Sequence, residues 1–235
     1  MRYPGGKGGC FRRLINLIPP HEVYIETHLG GGAVLRAKRP ASRSIGIDLD
    51  PKVIRRWQST PLTGLELRHC DAYTFLESYP FEGGEFVYLD PPYLRETRRR
   101  WRVYECDYTE VEHAQLLALL KRLPCPVMLS GYASAMYEQM LSDWTRVDFT
   151  AASHRGGHIE SVWLNYKPPV IPHDLSYLGD DFRQREQIKR RHARLVQRIG
   201  ALALEEQVLL LESLQRGVAM ALGKSDHKPT SELHQ

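Results

Sequence analysis

Short apolar runs recur along the first two thirds of the chain, separated by stretches whose apolar residues fall three and four apart. Runs at 23–26, 44–47, 65–69, 86–89 and 127–129 have the length and β-branched or aromatic content of buried strands. Between them, 33–38, 51–57, 73–79, 109–123 and 134–141 read as helices. Pro51 sits where the first turn of a helix tolerates proline. Thr109-Glu110-Val111-Glu112 has the form of a capping box. Two further strand patterns, 144–149 and 158–165, follow with no helix between them, which predicts an antiparallel pair at one sheet edge. The alternation before that pair predicts an α/β fold with a mainly parallel, doubly wound sheet over residues 1–167.

Pro168, Pro169 and Pro172 then break the pattern, so 168–180 reads as a linker. A helical extension over 181–222 follows. Its first part, 181–199, is strongly basic, with Arg183, Arg185, Lys189, Arg190, Arg191, Arg194 and Arg198. Its second part, from about 202, carries Val208, Leu209, Leu211, Leu214 and Val218 and is read as packing or dimer contact. The polar tail 223–235 is expected to be disordered.

Bulk properties narrow the class. A chain of 235 residues buries a sizeable core, and no apolar run is long enough to span a membrane. The N-terminus has no signal-peptide core. Cys10, Cys70, Cys106 and Cys125 are scattered, without CxxC spacing. Free thiols in a reducing cytoplasm are expected, and no metal site. The formal charge of +4 points weakly to a polyanionic partner.

The chemistry is concentrated where the fourth strand pattern stops, at Asp90-Pro91-Pro92-Tyr93. Neither proline offers a backbone N–H, so the strand ends at the acid and continues as a rigid, extended turn. A carboxylate, free carbonyls and an aromatic ring then share a strand's carboxyl end, where ligands bind in open α/β sheets. Such a group suits transfer to the exocyclic amine of a nucleobase. Acceptors on Asp90 and a proline carbonyl would draw the amine toward a tetrahedral, nucleophilic geometry, while Tyr93 stacks on a base removed from the duplex. A plain strand-to-loop turn is the alternative reading.

Three earlier strand ends suit a nucleoside-bearing cofactor. The first delivers Glu26, Thr27, His28 and the turn Gly30-Gly31-Gly32, where a ligand can approach the backbone. The second delivers Asp48, whose carboxylate suits a ribose diol. The third delivers Asp71, placed for an adenine edge. Ahead of them lies a loop with Tyr3, Gly5, Gly6 and Lys7. It lacks P-loop spacing, and it suits a lid over a carboxylate-bearing cofactor or, more plainly, a mobile terminus.

With Tyr-Pro-Gly-Gly-Lys, Glu-Thr-His-Leu-Gly-Gly-Gly-Ala, Ile-Asp-Leu-Asp and Asp-Pro-Pro-Tyr in that order, the chain resembles the Dam-type DNA adenine N6-methyltransferases, in particular compact prophage-borne members. Leu129-Ser130-Gly131-Tyr132 and Glu160-Ser161-Val162-Trp163-Leu164-Asn165-Tyr166 extend the likeness to about residue 167. The resemblance implies a Rossmann-like S-adenosylmethionine-dependent methyltransferase fold, S-adenosylmethionine as donor and adenine N6 in double-stranded DNA as acceptor. It places Tyr3 and Lys7 at cofactor contacts, Asp48 on the ribose, and Asp90 and Tyr93 in the catalytic motif. Many relatives have tryptophan in place of Tyr3 and Pro-Phe in place of Thr27-His28, which leaves the role of His28 open between stacking and a pH-sensitive contact.

Larger members carry a recognition domain between the third and fourth strands, where this chain has only residues 73–85. The expected DNA contact is therefore 94–106, with Arg95, Arg98, Arg99, Arg100, Trp101 and Arg102 beside the catalytic turn. The basic helix 181–199 and the loop with His154, Arg155 and His158 are the other candidates. Methylation of adenine in RNA, methylation of cytosine N4, and an inactive DNA-binding relative are the competing readings of the whole.

Overall fold

The computed structural model describes residues 7–60, 62–94, 107–151 and 158–225. The strands are β1 (Val23–Thr27), β2 (Arg43–Asp48), β3 (Leu65–His69), β4 (Glu85–Leu89), β5 (Val127–Gly131), β6 (Thr145–Ala151) and β7 (His158–Leu164). Among the described residues they form one sheet in the order β3-β2-β1-β4-β5-β7-β6. The first five run parallel, and β7 is antiparallel to both β5 and β6. The expected α/β architecture, mainly parallel with an antiparallel edge, is the one observed.

Side chains alternate across the sheet with the period of two that strands impose. Tyr24, Phe86, Tyr88, Met128, Val162 and Leu164 point to one face, under α1 (Phe11–Leu17), α2 (Ala33–Ala37) and α3 (Pro51–Gln58). Ile25, Val87, Leu89, Val127, Leu129 and Trp163 point to the other, under α4 (Ala72–Ser78), α5 (Glu110–Leu120) and α6 (Ala135–Met140). Each fully buried Leu, Ile or Val contributes about 1.5–3 kcal/mol, so these two layers dominate stability. β4 is buried along its whole length, which is why its sequence from Phe86 on is a continuous apolar run.

Local signals set the helix starts. Asp50 accepts from the Lys52 backbone N–H at 2.7 Å, with Pro51 in the first turn of α3. Thr109 and Glu112 form the capping box of α5. Helix α1 lies in a stretch that the periodicity above leaves unassigned. Leu14 and Ile15 on α1 and Ile18 beyond it are buried, so tertiary packing makes a helix of seven residues that would be marginal alone.

Contacts divide the chain into residues 1–177 and 178–235. The first unit runs past the last strand. The Tyr166 hydroxyl donates to the Leu17 carbonyl at 2.9 Å, and Asn16 Nδ2 donates to the Tyr177 carbonyl at 2.9 Å. In the second unit, Asp181 caps α7 (Phe182–Gly200) by accepting from the Gln184 N–H at 2.8 Å, and α7 buries no side chain. Helix α8 (Leu204–Ser225) continues through the first three residues of the polar tail. Among the described residues no helix is long and apolar enough to cross a membrane, and no cluster could hold a metal ion.

Candidate active site

The sheet order sets the carboxyl ends of β2, β1 and β4 side by side. Register pairs Thr27 with Leu89 and Glu26 with Gly46, so the turn after β1 lies between Asp48 and Asp90. This is the crevice in which α/β folds bind ligands.

The turn after β1 is built from backbone conformations that side chains rarely adopt. His28 has φ of 56°, Gly30 44° and Gly32 55°. Two side chains hold it. Asp48 Oδ2 accepts the Gly30 N–H at 2.8 Å, and its Oδ1 accepts the Asp50 N–H at 2.9 Å. Trp57 Nε1 donates to the Gly30 carbonyl at 3.0 Å. Burial raises the Asp48 pKa, opposed by the two backbone donors. A carboxylate oxygen with one bond keeps acceptor capacity, so Asp48 can hold the turn and still accept from hydroxyls.

Around this turn, sequence-predicted residues meet partners the sequence did not announce. His28 Nδ1 lies 2.9 Å from Thr27 Oγ1, and its ring stands edge-on to Tyr108 with centroids 5.4 Å apart. Burial lowers the His28 pKa to about 4, so its ring is neutral at pH 7. Its Nε2 is buried without a hydrogen-bond partner among the described residues. Asp71 caps α4 through the Thr74 N–H at 2.9 Å and accepts the Tyr108 hydroxyl at 3.0 Å. Glu26 lies deeper, its Oε2 accepting the Tyr24 hydroxyl at 2.7 Å and the Leu35 N–H at 3.1 Å. Burial raises the Glu26 pKa to about 8, with the Asp90 charge adding to the rise.

At the end of β4, Asp90 is the focus of a buried polar cluster. Lys7 Nζ lies 2.8 Å from Asp90 Oδ1 and 3.6 Å from Glu160 Oε2, and it donates to the Tyr93 hydroxyl. The Tyr93 hydroxyl also bonds Asp90. The Lys7 ammonium sits 4.7 Å from the Tyr93 ring centroid, and that ring meets Tyr132 edge-on at 4.4 Å. Lys7 is only 5% exposed. Burial alone would lower its pKa, but Asp90, Tyr93, Tyr88 and Glu160 reverse the sign and hold it charged. Burial raises Asp90, Lys7 pulls it down, Glu160 pushes it up, and the net direction is upward. The cluster therefore places two carboxylates around one ammonium, with a third acid, Glu26, within electrostatic reach of Asp90.

Lys7 thus reaches the Asp90–Tyr93 turn, a contact the sequence did not announce. Pro91 is buried and Pro92 half-buried. Tyr3, Gly5, Gly6, Arg95, Arg98, Arg99, Arg100, Trp101, Arg102, His154 and Arg155 lie outside the described residues. Gly31 is exposed on the turn, with its carbonyl accepting from Arg36 Nε at 3.2 Å. Sequence reasoning gave no role to Glu160, Tyr108 or Cys10. The first carried a usable signal, an acid in a strand that is otherwise largely apolar, since a buried charge is kept only where it is paired.

No family model matches the chain, and no curated protein matches it. Among solved structures, it is similar to the N-methyltransferase NodS from Bradyrhizobium japonicum WM9, at 12% identity and a TM-score of 0.47 over 67% of this chain and 93% of that one. It is also similar to M. capricolum TrmK in complex with S-adenosyl-homocysteine, at 7% identity and a TM-score of 0.46 over 87% and 93%. A third likeness is to the 23S rRNA methyltransferase ErmE, at 12% identity and a TM-score of 0.44 over 87% and 95%.

Proposed function

We propose that this chain is an S-adenosylmethionine-dependent methyltransferase that acts on N6 of adenine in double-stranded DNA. The observation that carries the reading is the Asp90-Pro91-Pro92-Tyr93 turn at the end of a central strand, beside a strained glycine turn braced by Asp48. The residues present fit the donor. Two carboxylates around one buried ammonium leave surplus negative charge, which suits a cationic sulfonium and amino group. The buried His28 Nε2 and the acceptor capacity of Asp48 suit a nucleoside. Asp48 would hold the ribose, His28, Tyr108 and Asp71 the base, and the 28–32 turn the amino acid portion.

When bound, S-adenosylmethionine would supply an electrophilic methyl group, and the N–H proton that the amine gives up on methylation would pass by way of Asp90 to solvent. The chain's own residues prepare the nitrogen. Asp90 accepts an amine N–H, and its raised pKa makes it a stronger acceptor. A carbonyl of the Pro91-Pro92 turn accepts the second N–H and fixes the lone pair toward the donor. Tyr93 and Tyr132 offer rings against the extruded base. The arginine segment 94–106 and basic α7 supply phosphate contacts. Cys10, Cys70 and Cys125 are free thiols, in keeping with a cytoplasmic setting.

The test is transfer of labelled methyl from S-adenosylmethionine to duplex DNA, RNA and free nucleosides, with the product base separated by chromatography. N6-methyladenine in DNA is expected. Label confined to RNA or to cytosine would move the substrate, and absence of label with retained DNA binding would make the chain a binding module.

A further inference from the structure

Glu160 lies in β7, the strand inserted between β5 and β6, and pairs with Phe149 across the sheet. A carboxylate buried on such a strand is costly unless it is matched. Its Oε2 lies 3.6 Å from Lys7 Nζ and accepts from Cys10 Sγ at 3.5 Å. Lys7 is anchored by its backbone, since its carbonyl takes the N–H groups of Cys10 at 3.0 Å and Phe11 at 2.8 Å. Only its side chain is free to move, and that side chain stands between two acids. It is in hydrogen-bond contact with Asp90 at 2.8 Å and just beyond it with Glu160 at 3.6 Å.

The methyl transfer reading requires Asp90 to receive an amine. In the structure Asp90 is already engaged by Lys7 and Tyr93. Asp90 Oδ1 already carries the Lys7 ammonium, so an N–H that takes that oxygen competes with Lys7, and a buried ammonium that loses its counter-ion is strongly destabilised. We propose that Glu160 is a positioning residue that takes the Lys7 ammonium as the acceptor amine takes Asp90. The second acid lets Lys7 stay charged and buried while Asp90 is released. This inference rests on the proposed methyl transfer and adds to it a reason for the second carboxylate. Among the described residues, besides Lys7, Glu160 and Tyr93, the titratable groups in electrostatic reach of Asp90 include Tyr88, Glu26, Cys10 and Tyr137. Among these carboxylates, Glu160 alone also touches Lys7.

The experiment compares Glu160→Gln and Glu160→Asp with the wild-type full chain. With Glu160→Gln, kcat should fall by about 10–100-fold, the scale of one charge-assisted contact. KM for donor and DNA should stay within about two-fold, because the ground-state contacts are kept. Glu160→Asp should restore part of the loss. In the ligand-free protein, the Asp90 carboxyl followed by carbon-13 NMR should titrate at lower pH in Glu160→Gln, since a like charge has been removed. The acid limb of kcat/KM should move the same way. A wild-type kcat in Glu160→Gln, or an unmoved Asp90 titration, would overturn the assignment. If Glu160→Gln melts early, Glu160→Met, which also removes the charge, carries the same comparison. If the wild type transfers no methyl group to any substrate, the enzymatic reading fails, while the NMR titration still decides whether Glu160 and Asp90 are coupled.

Discussion

Trp57 covers Gly32 so closely that a β-carbon built on the glycine falls 2.2 Å from the indole Cζ2. The glycine also has φ of 55°. Gly32→Ala therefore meets both a strained backbone and a clash with a buried ring that is itself bonded to Gly30. The expected cost is about 2–4 kcal/mol. Thermal unfolding followed by circular dichroism should show Tm lowered by roughly 4–16 °C for a unit of this size. An unchanged Tm would mean that the turn relaxes freely and does not need glycine.

Asp90→Asn should lower methyl transfer by about 10²–10⁴-fold, because it removes the charge and one of the two acceptor oxygens. Binding of S-adenosylhomocysteine, measured by calorimetry, should change far less. A variant that turns over like the wild type would remove Asp90 from the chemistry.

Asp48→Ala should cost about 1–3 kcal/mol of stability, since the Gly30 and Asp50 N–H groups both lose their acceptor. The same substitution should weaken S-adenosylhomocysteine binding. Calorimetry showing full affinity in a folded variant would place the ribose elsewhere.

Stability should depend on pH through Glu26. Its folded pKa of about 8 lies above the ordinary 4.5, so the native state holds a proton that the unfolded chain has released. The stabilisation is full below 4.5 and is lost as pH rises toward 8. His28 runs the other way. Its folded pKa of about 4 lies below 6.5, so its contribution is present above 6.5 and lost as pH falls toward 4. Glu26→Gln keeps an acceptor for Tyr24 and Leu35 but cannot ionise. Urea unfolding should show the wild type losing about 1–3 kcal/mol more than the variant between roughly pH 6 and 8. Parallel pH profiles for the two proteins would refute the assignment.

Replacing Arg98, Arg99 and Arg100 with alanine should weaken DNA binding and reduce the slope of log K against log salt by roughly 0.9 for each phosphate the variant no longer neutralises. An unchanged slope would shift the DNA contact toward α7.

β2 and β4 were legible because each carries an apolar run that stops at an acid, Asp48 or Asp90. β3 spans 65–69 as read, β4 begins one residue earlier than expected, and β2 is one residue longer at each end. Thr109 and Glu112 announced α5 through local chemistry alone. Helix α1 was harder to see, since Arg12 and Arg13 interrupt a short stretch whose helicity comes from burying Leu14 and Ile15. The same distinction holds in the site. Asp48 and Asp90 stand at strand ends and advertise themselves. Tyr108 and Glu160 act through partners far away in sequence, Asp71 and Lys7, and only the folded sheet brings those pairs together.

The position of β7 has a consequence for synthesis. It is the last strand made, yet it fills the gap between β5 and β6. A nascent chain that has released β5 but not β7 shows an open, sticky edge where Val127–Gly131 awaits its partner. It also displays Asp90 and Lys7 without Glu160. At ribosomal rates the interval from residue 131 to 164 lasts roughly 2–7 s. For that time the chain is exposed to aggregation and lacks a complete site, a state that pulse proteolysis of chains arrested ahead of residue 158 would reveal.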